Sequence, residues 1–393
     1  MNPPESVLIV GASAGGLTTA EALRRQGYEG RLTLLGAERH LPYDRPPLSK
    51  QVLSGAWEAG RAQLRAEPAL QALDAELVLG DRATGLDVTN RMVRTESGRV
   101  LGADAIVIAT GVQARTFPGQ DDLAGVHVIR TLDDAVALRT ELATARRLVV
   151  VGDGVLGAEV AATGRGLGLD VTLAGPQSVP MENQFGPWAG GLLGDFHTEQ
   201  GVRLRLGTGV SALAAEAGRV AGVVLATGEH LPADVVVVAI GGIPATDWLA
   251  GSGLTIENGI VCDAMCQASD GIYAVGDVAR WRHLGLDAMV RLENRTNATE
   301  QAVAVAKNIL GADLPYVPVP YFWTDQYDVK VMVHGLTPAD AEIEVVEGDP
   351  AARRFVALCR SDGIARAVLG WNMPKQTRLH RQQVADALTL AAH

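Results

Sequence analysis

Cysteine is scarce, with three residues in a chain of 393. Cys262 and Cys266 are spaced as C-x3-C, not as the C-x-x-C of a redox dithiol, so thiol–disulfide exchange is not the expected chemistry. All three thiols are expected to be buried and inert. Basic residues are outnumbered, 34 Lys and Arg against 45 Asp and Glu, for a net charge of −11. That balance excludes a general nucleic-acid binder, which needs a basic face to displace phosphate counterions, although local basic patches stay open. No apolar run approaches the roughly 18 residues of a membrane helix, and the opening MNPPES has no basic segment ahead of an apolar one. The expectation is a cytoplasmic protein with no membrane or nucleic-acid partner and no metal ligand set. Low-complexity tracts are missing too.

What is present is a 47% hydrophobic chain too long for one ordinary core, which predicts two or three domains able to enclose a large cofactor. Residues 6–10, SVLIV, form an apolar strand that breaks at Gly11 and leads into the helical pattern GGLTTAEALRRQG and a second strand at 31–38. This is a βαβ unit of a parallel sheet. The same grammar returns at 147–151 (RLVVV), GDGVLGAEVAATGRGLG and LDVTLAG, so two nucleotide folds, and hence two nucleotides, are expected. Between and after them, ADAIVIATG at 103–111 and GIYAVGD at 271–277 read as strands carrying a ligand at their carboxyl ends. Beyond a proline-punctuated linker at 310–320, the alternation in YDVKVMVHG, FVALCRS and IARAVLGW predicts a separate antiparallel sheet closed by a helix near 375–390. The fold class is therefore α/β, with two Rossmann-type dinucleotide-binding domains and a C-terminal α+β domain.

The first loop, Gly11-Ala12-Ser13-Ala14-Gly15-Gly16, carries Ser13 where G-x-G-x-x-G has its second glycine, and serine is small enough for a pyrophosphate to approach. The helix that follows directs unpaired N–H groups and the positive end of its dipole at the phosphates. Glu38, after the second strand, is placed to hold a ribose, with a solvated surface role as the alternative. The second loop, Gly152-Asp153-Gly154-Val155-Leu156-Gly157, is complete. Glu159 follows it within the first helical turn, where it either caps the dipole or stands beside a reacting ring.

Together with PYDRPPLSK at 42–50, ATG, GIYAVGD, RLENRTNATEQA and YFWTDQYDVK, these motifs resemble, in order and over essentially the whole chain, the FAD-dependent ferredoxin reductases. These putidaredoxin reductase-like and rubredoxin reductase-like flavoproteins serve bacterial cytochromes P450 and ring-hydroxylating dioxygenases. The resemblance implies a glutathione reductase-like architecture: a discontinuous FAD domain (1–117 and 241–317), an NAD(P)H domain (118–240) and a C-terminal reductase domain (318–393). It also implies hydride transfer from NADH or NADPH to FAD, then single electrons to an iron–sulfur ferredoxin. Carried over by position, Gly11, Ser13, Ala14, Gly15 and Gly16 face the FAD pyrophosphate, Glu38 takes the ribose and Ala83 the adenine side. Arg130 lies near the phosphates, Gly276 and Asp277 at the ribitol, with Arg45, Thr110 and Gly111 in the same set. Lys50 and Glu159 pair across the reactive face, with Pro46 near its edge. Gly152, Gly154, Val155, Leu156, Gly157 and Gly175 face the pyridine nucleotide. A solvated Lys50 and a merely rigid turn at Pro46 and Pro47 are the alternatives for those residues.

Two positions depart from the pattern. NADH-using members end the second fold's strand with a glutamate, and VTLAGPQ gives Gly175 instead. A charge-assisted hydrogen bond contributes about 1.5–3 kcal/mol, so its loss predicts roughly ten- to 150-fold weaker NADH binding, and restoring a glutamate there is expected to recover it. No Lys or Arg follows from 175 through 185 to attract a 2′-phosphate, so the coenzyme site is expected to be permissive. The second departure is Arg295, whose charge beside the flavin is expected to stabilise its anionic reduced form unless the side chain points to solvent. The ferredoxin is expected to dock on a local cationic patch, with Arg65, Arg353, Arg354, Lys375, Arg378 and Arg381 as candidates. A flavin oxidase or small-molecule dehydrogenase with a remodelled coenzyme domain, and a non-catalytic FAD-binding protein, are the competing functions.

Overall fold

The computed structural model describes residues 3–391. Strand β1 (Ser6–Val10) is buried along its whole length, as a central parallel strand covered on both faces must be. It stops at Gly11, whose φ of +122° suits glycine and whose Cβ, if present, would lie 2.2 Å from the Ala109 carbonyl oxygen. Helix α1 (Ala14–Arg25) and strand β2 (Arg31–Gly36) complete the unit, with Val10 opposite Leu35. The sheet built around β1 runs, in spatial order, 267–269, 272–274, 105–108, β1, β2 and 75–79, all parallel except the first pair.

The second unit repeats the first. Strand β3 (Arg147–Val151) ends at Gly152 (φ +115°), helix α2 (Val155–Gly166) follows, and β4 (Asp170–Ala174) lies parallel to β3 with Val151 opposite Ala174. Its five-stranded parallel sheet has the order 203–205, β4, β3, 235–238 and 126–127. Helix α3 (Glu182–Glu199) is broken at Gly186 (φ +74°) beside Pro187. Helix α4 (Arg295–Ile309) begins at Asn294, whose side chain accepts a bond from the Asn297 N–H.

After an irregular stretch at 311–320, β5 (Tyr321–Gln326) opens a five-stranded antiparallel sheet, and α5 (Pro374–Ala391) closes the fold. The inner face of this sheet, with Val331, Phe355 and Trp371, packs on Phe185 and Phe196 of α3 and on Ala158 of α2. That shared core places β5 over the end of α2, where Glu159 lies.

The sequence patterns overran several strands. β2 stops at Gly36, the strand expected at 103–111 covers only Ala105–Ile108, and that at 271–277 only Ile272–Ala274. Asp277 does not precede a helix. It lies in a single 3-10 turn, Gly276–Val278, that runs directly into the strand Ala279–His283, so the nearest long helix after it is α4.

Candidate active site

Both glycine loops open into one cleft of about 720 Å³. Ser13, Ala14 and Gly15 line it from the start of α1, and Gly154, Val155 and Leu156 from the start of α2. Neither helix has a side-chain cap at its N-terminus, so the first N–H groups of both are left for a ligand. The tight turns demand glycine: a Cβ on Gly16 would lie 1.8 Å from the Gly11 oxygen, and one on Gly157 1.7 Å from the Gly152 oxygen. Gly154 differs, because a Cβ there meets nothing within 4 Å. Its bareness leaves room for a bound molecule, not for the protein's own atoms.

On the first loop's side, Arg130 and Asp277 face each other at 3.4 Å, and Thr110, Gly111 and Gly276 join them along the cleft. Burial pushes the Asp277 carboxyl up, with Arg130 opposing, and pulls the Arg130 guanidinium down. The Nε atoms of Arg130 and Arg291 are buried without a partner, two unspent donors in this wall of the cleft. Two helix N-termini without side-chain caps, the first with two buried, unpartnered guanidinium nitrogens beside it, fit the pyrophosphates of dinucleotides such as FAD. Arg45 donates to Glu38 at 2.8 Å and to the Arg130 carbonyl, and Tyr43 also donates to Glu38.

The reacting centre lies between the loops. One turn of wide helix, Leu48–Val52, is tied to α2 by Thr163, whose hydroxyl donates to the Ser49 carbonyl at 2.7 Å. That turn delivers Lys50 to Glu159 at 2.7 Å, with the two side chains only 13% and 7% exposed. Ser49 donates to the same carboxylate oxygen at 2.6 Å, and Thr324 of β5 donates to the other at 2.8 Å. Glu159 therefore accepts three bonds, from Lys50, Ser49 and Thr324, in a nearly dry pocket. Thr324 is itself the end of a buried chain. Gln326 donates to Thr324 at 3.1 Å, His197 Nε2 donates to Gln326 at 2.7 Å, and the Tyr327 hydroxyl donates to His197 Nδ1 at 3.1 Å. Burial holds His197 at about 4, so the ring is neutral and every donor in the chain points toward Glu159.

The cleft gathers Ser13, Ala14, Gly15, Arg45, Pro46, Lys50, Thr110, Gly111, Arg130, Glu159, Gly276, Asp277 and Arg295. Ala83 is not among its lining residues. It sits in a small antiparallel sheet, packed into the core of the first domain. Glu38 also stands back from the cleft, reaching it through Arg45. Arg295 lines the cleft rather than pointing away from it, and it donates to Asp44 at 2.6 Å, a partner the sequence did not indicate.

Gly175 is not an empty place either. The Asp153 carboxylate fills the space beside it, and a Cβ on Gly175 would lie 2.3 Å from Asp153 Oδ2, which works against the gain expected of a glutamate there. Sequence reasoning missed Asp44, Ser49, Thr324 and Trp323 as residues of the site. Asp44 and Ser49 lie inside PYDRPPLSK and Trp323 and Thr324 inside YFWTDQYDVK, so the motifs held them without saying which side chain faces inward. The cysteines are buried free thiols, with Cys266 pushed up to about 12 by burial.

With this geometry in place, the comparisons are consistent across the chain. Residues 5–302 match the family model described as pyridine nucleotide-disulphide oxidoreductase, and residues 321–393 match a reductase C-terminal model. The rhodocoxin reductase of Rhodococcus erythropolis is 36% identical, covering 98% of this chain and 90% of that protein. The benzene 1,2-dioxygenase system ferredoxin–NAD(+) reductase subunit of Pseudomonas putida is 38% identical, over 96% of this chain and 92% of its own length. The crystal structure of the ferredoxin reductase for the CYP199A2 system from Rhodopseudomonas palustris superposes with a TM-score of 0.94 at 34% identity, covering 99% of this chain and 97% of that one. No described helix is long and apolar enough to cross a membrane. Two nucleotide cradles facing one cleft, a buried Lys50–Glu159 pair between them and a C-terminal sheet closing over it make this chain a member of the pyridine nucleotide-disulphide oxidoreductase family, an oxidoreductase that uses FAD and NAD(P)H.

Proposed function

We propose that the chain is a ferredoxin reductase that takes a hydride from NAD(P)H and delivers single electrons to an iron–sulfur ferredoxin serving a cytochrome P450 or an oxygenase in the cytoplasm. The observation that carries this reading is the opening of both phosphate cradles into one cleft with Lys50 and Glu159 between them. The printed names of the relatives, a rhodocoxin reductase and a dioxygenase-system ferredoxin reductase, point the same way. FAD, when bound, links the two-electron donor to the one-electron acceptor.

The first cradle, Gly11 to Gly16, would hold the FAD phosphates, with Arg130 beside them and Asp277 accepting ribitol hydroxyls. The second cradle, Gly152 to Gly157, would hold the coenzyme phosphates and turn the nicotinamide toward Lys50. The Lys50 ammonium, fixed by Glu159 and sheltered from water, supplies a positive field where negative charge builds up during hydride transfer. Ser49 and Thr324 keep the Glu159 carboxylate in place, so Lys50 does not swing out to solvent. Domain limits of 1–117 with 241–317, 118–240 and 318–393 fit this division of labour.

Anaerobic stopped-flow mixing of the yellow holoenzyme with each coenzyme tests the reading. It expects bleaching of the flavin band, followed by reoxidation on addition of ferredoxin. A colourless protein, a flavin that neither coenzyme bleaches, or rapid peroxide formation with no ferredoxin reduction would overturn it.

A further inference from the structure

Gln184 lines the cleft and carries a buried side-chain oxygen, Oε1, that has no hydrogen-bond partner among the described residues. A carbonyl shut away from water is costly to leave unpaired, so such an atom in a binding cleft marks a place for a ligand's donor. The backbone fixes that place. Residues 182–185 form one helical turn cut off from the rest of α3, between Met181 at φ +56° and Gly186 at φ +74°. A left-handed methionine is strained, and its contacts hold it there. The Met181 N–H donates to the Asp153 carbonyl of the second cradle at 2.8 Å, and its Sδ accepts from Gln326 Nε2 at 3.4 Å. The Gln184 N–H donates back to the Met181 carbonyl at 2.9 Å. Phe185, the next residue, stacks on Phe322 of β5 with ring centroids 5.6 Å apart. The turn is thus tied at one end to the second cradle and at the other to the strand that covers Glu159. Gln184 joins Val155, Leu156, Phe322 and Trp323 in the cleft lining.

We propose, resting on the functional reading above, that Gln184 is a positioning residue whose Oε1 accepts the carboxamide NH2 of the coenzyme's nicotinamide. A coenzyme with its phosphates at Gly154 to Leu156 and its nicotinamide at Lys50 and Glu159 runs along the wall that Val155, Leu156 and Gln184 share. Chemistry then narrows the contact. Phosphate oxygens only accept, and a carbonyl oxygen has nothing to give them. The donors left on the coenzyme are amide and hydroxyl groups. Val155, Leu156, Phe322 and Trp323 make an apolar lining suited to the face of a flat ring and not to a sugar, so the ring's amide is the donor that fits. This contact fixes which way the carboxamide points, and with it which face of the ring is turned to the flavin. The carboxamide is common to NADH and NADPH, so Gln184 orients both and discriminates between neither.

The test is calorimetric titration of the oxidised FAD-loaded enzyme with NAD⁺ and with its 3-acetylpyridine analogue, in which a methyl group replaces the amide NH2. Both bind without turnover. Wild type is expected to hold NAD⁺ about tenfold more tightly than the analogue, the effect of one buried hydrogen bond. Gln184→Met, which keeps the length of the side chain and removes the acceptor, should weaken NAD⁺ about tenfold and leave the analogue within about twofold, with Tm unchanged. Gln184→Leu serves the same purpose if the methionine variant fails to fold. Equal affinity of wild type for the two nucleotides, or a Gln184 variant that weakens both alike or neither, would overturn the assignment. Flavin bleaching by NADH under nitrogen would survive such a result, whereas its loss would overturn the functional reading and this contact with it.

Discussion

Lys50 and Glu159 are 109 positions apart and meet at 2.7 Å, and most of what surrounds them serves to keep them there. Replacing Lys50 by methionine leaves Glu159 with Ser49 and Thr324 but without a cation, a buried charge whose isolation costs about 3 kcal/mol of stability. The same substitution is expected to slow flavin reduction by NADH roughly 10²-fold, as for loss of one preorganised charge-stabilising donor. Thermal melting and stopped-flow reduction measure the two effects. At this scale the sequence was only partly legible. Glu159 emerged from its place just after a complete glycine loop, and Lys50 from the resemblance that PYDRPPLSK carries. Asp44 did not emerge as the partner of Arg295, because a pair 251 positions apart leaves no periodic trace and only the fold brings it together. The Asp153 side chain stayed hidden inside its loop motif for the same reason: its neighbour Gly175 comes from another strand.

Among the elements, the two glycine loops were the clearest in the sequence, since backbone contacts shorter than any side chain permits restrict the residue type itself. They also make a sharp contrast. Gly157→Ala puts a methyl into the Gly152 carbonyl and is expected to lower stability by roughly 1–3 kcal/mol. Gly154→Ala meets open space, so Tm should stay while NAD⁺ affinity falls at least about tenfold. A melting curve beside a titration separates them. Strand lengths were less legible, because Ala109 and Val275 carry the apolar run one residue past the strand ends at Ile108 and Ala274, into turns that the sequence does not separate from the strands.

The chain from Tyr327 to Glu159 joins α3 to β5 and has a pH signature. His197 is held at about 4 against an ordinary 6.5, so below pH 6.5 the unfolded chain binds a proton that the folded one refuses. Its contribution is complete above pH 6.5 and is lost as pH falls toward 4, to a total of about 3 kcal/mol. His334, stacked on Tyr321 and also held at about 4, acts in the same window. Tm measured from pH 7 down to 4.5 should fall, and His197→Gln should fall less steeply.

For the molecule as a whole, net charge and docking pull in opposite directions. Were the proposed ferredoxin partner acidic, a protein of charge −11 would need a local cationic face to meet it. Among the six candidates, Arg65 is paired with Glu21 and Arg353 with Glu199, and Arg354 donates to the Asn372 carbonyl. Lys375, Arg378 and Arg381 of α5 make no ion pair among the described residues, so the proposed docking face is assigned to that helix. Reversing Arg378 and Arg381 to glutamate should reduce the ferredoxin-reduction rate at low salt about tenfold and flatten its ionic-strength dependence, with NADH-driven bleaching unchanged.

The sheet around β1 carries one more consequence, for the order in which the protein is made. Its strand at 105–108 pairs Ile106 with Ile272, so the layer under the first cradle stays incomplete until the ribosome has passed that second isoleucine. The intervening segment, with β3 and β4, can collapse first, while the earliest strands wait with their apolar faces uncovered. Newly synthesised chains that stall before residue 272 should accordingly recruit chaperones and fail to retain flavin, however much of it the cell supplies.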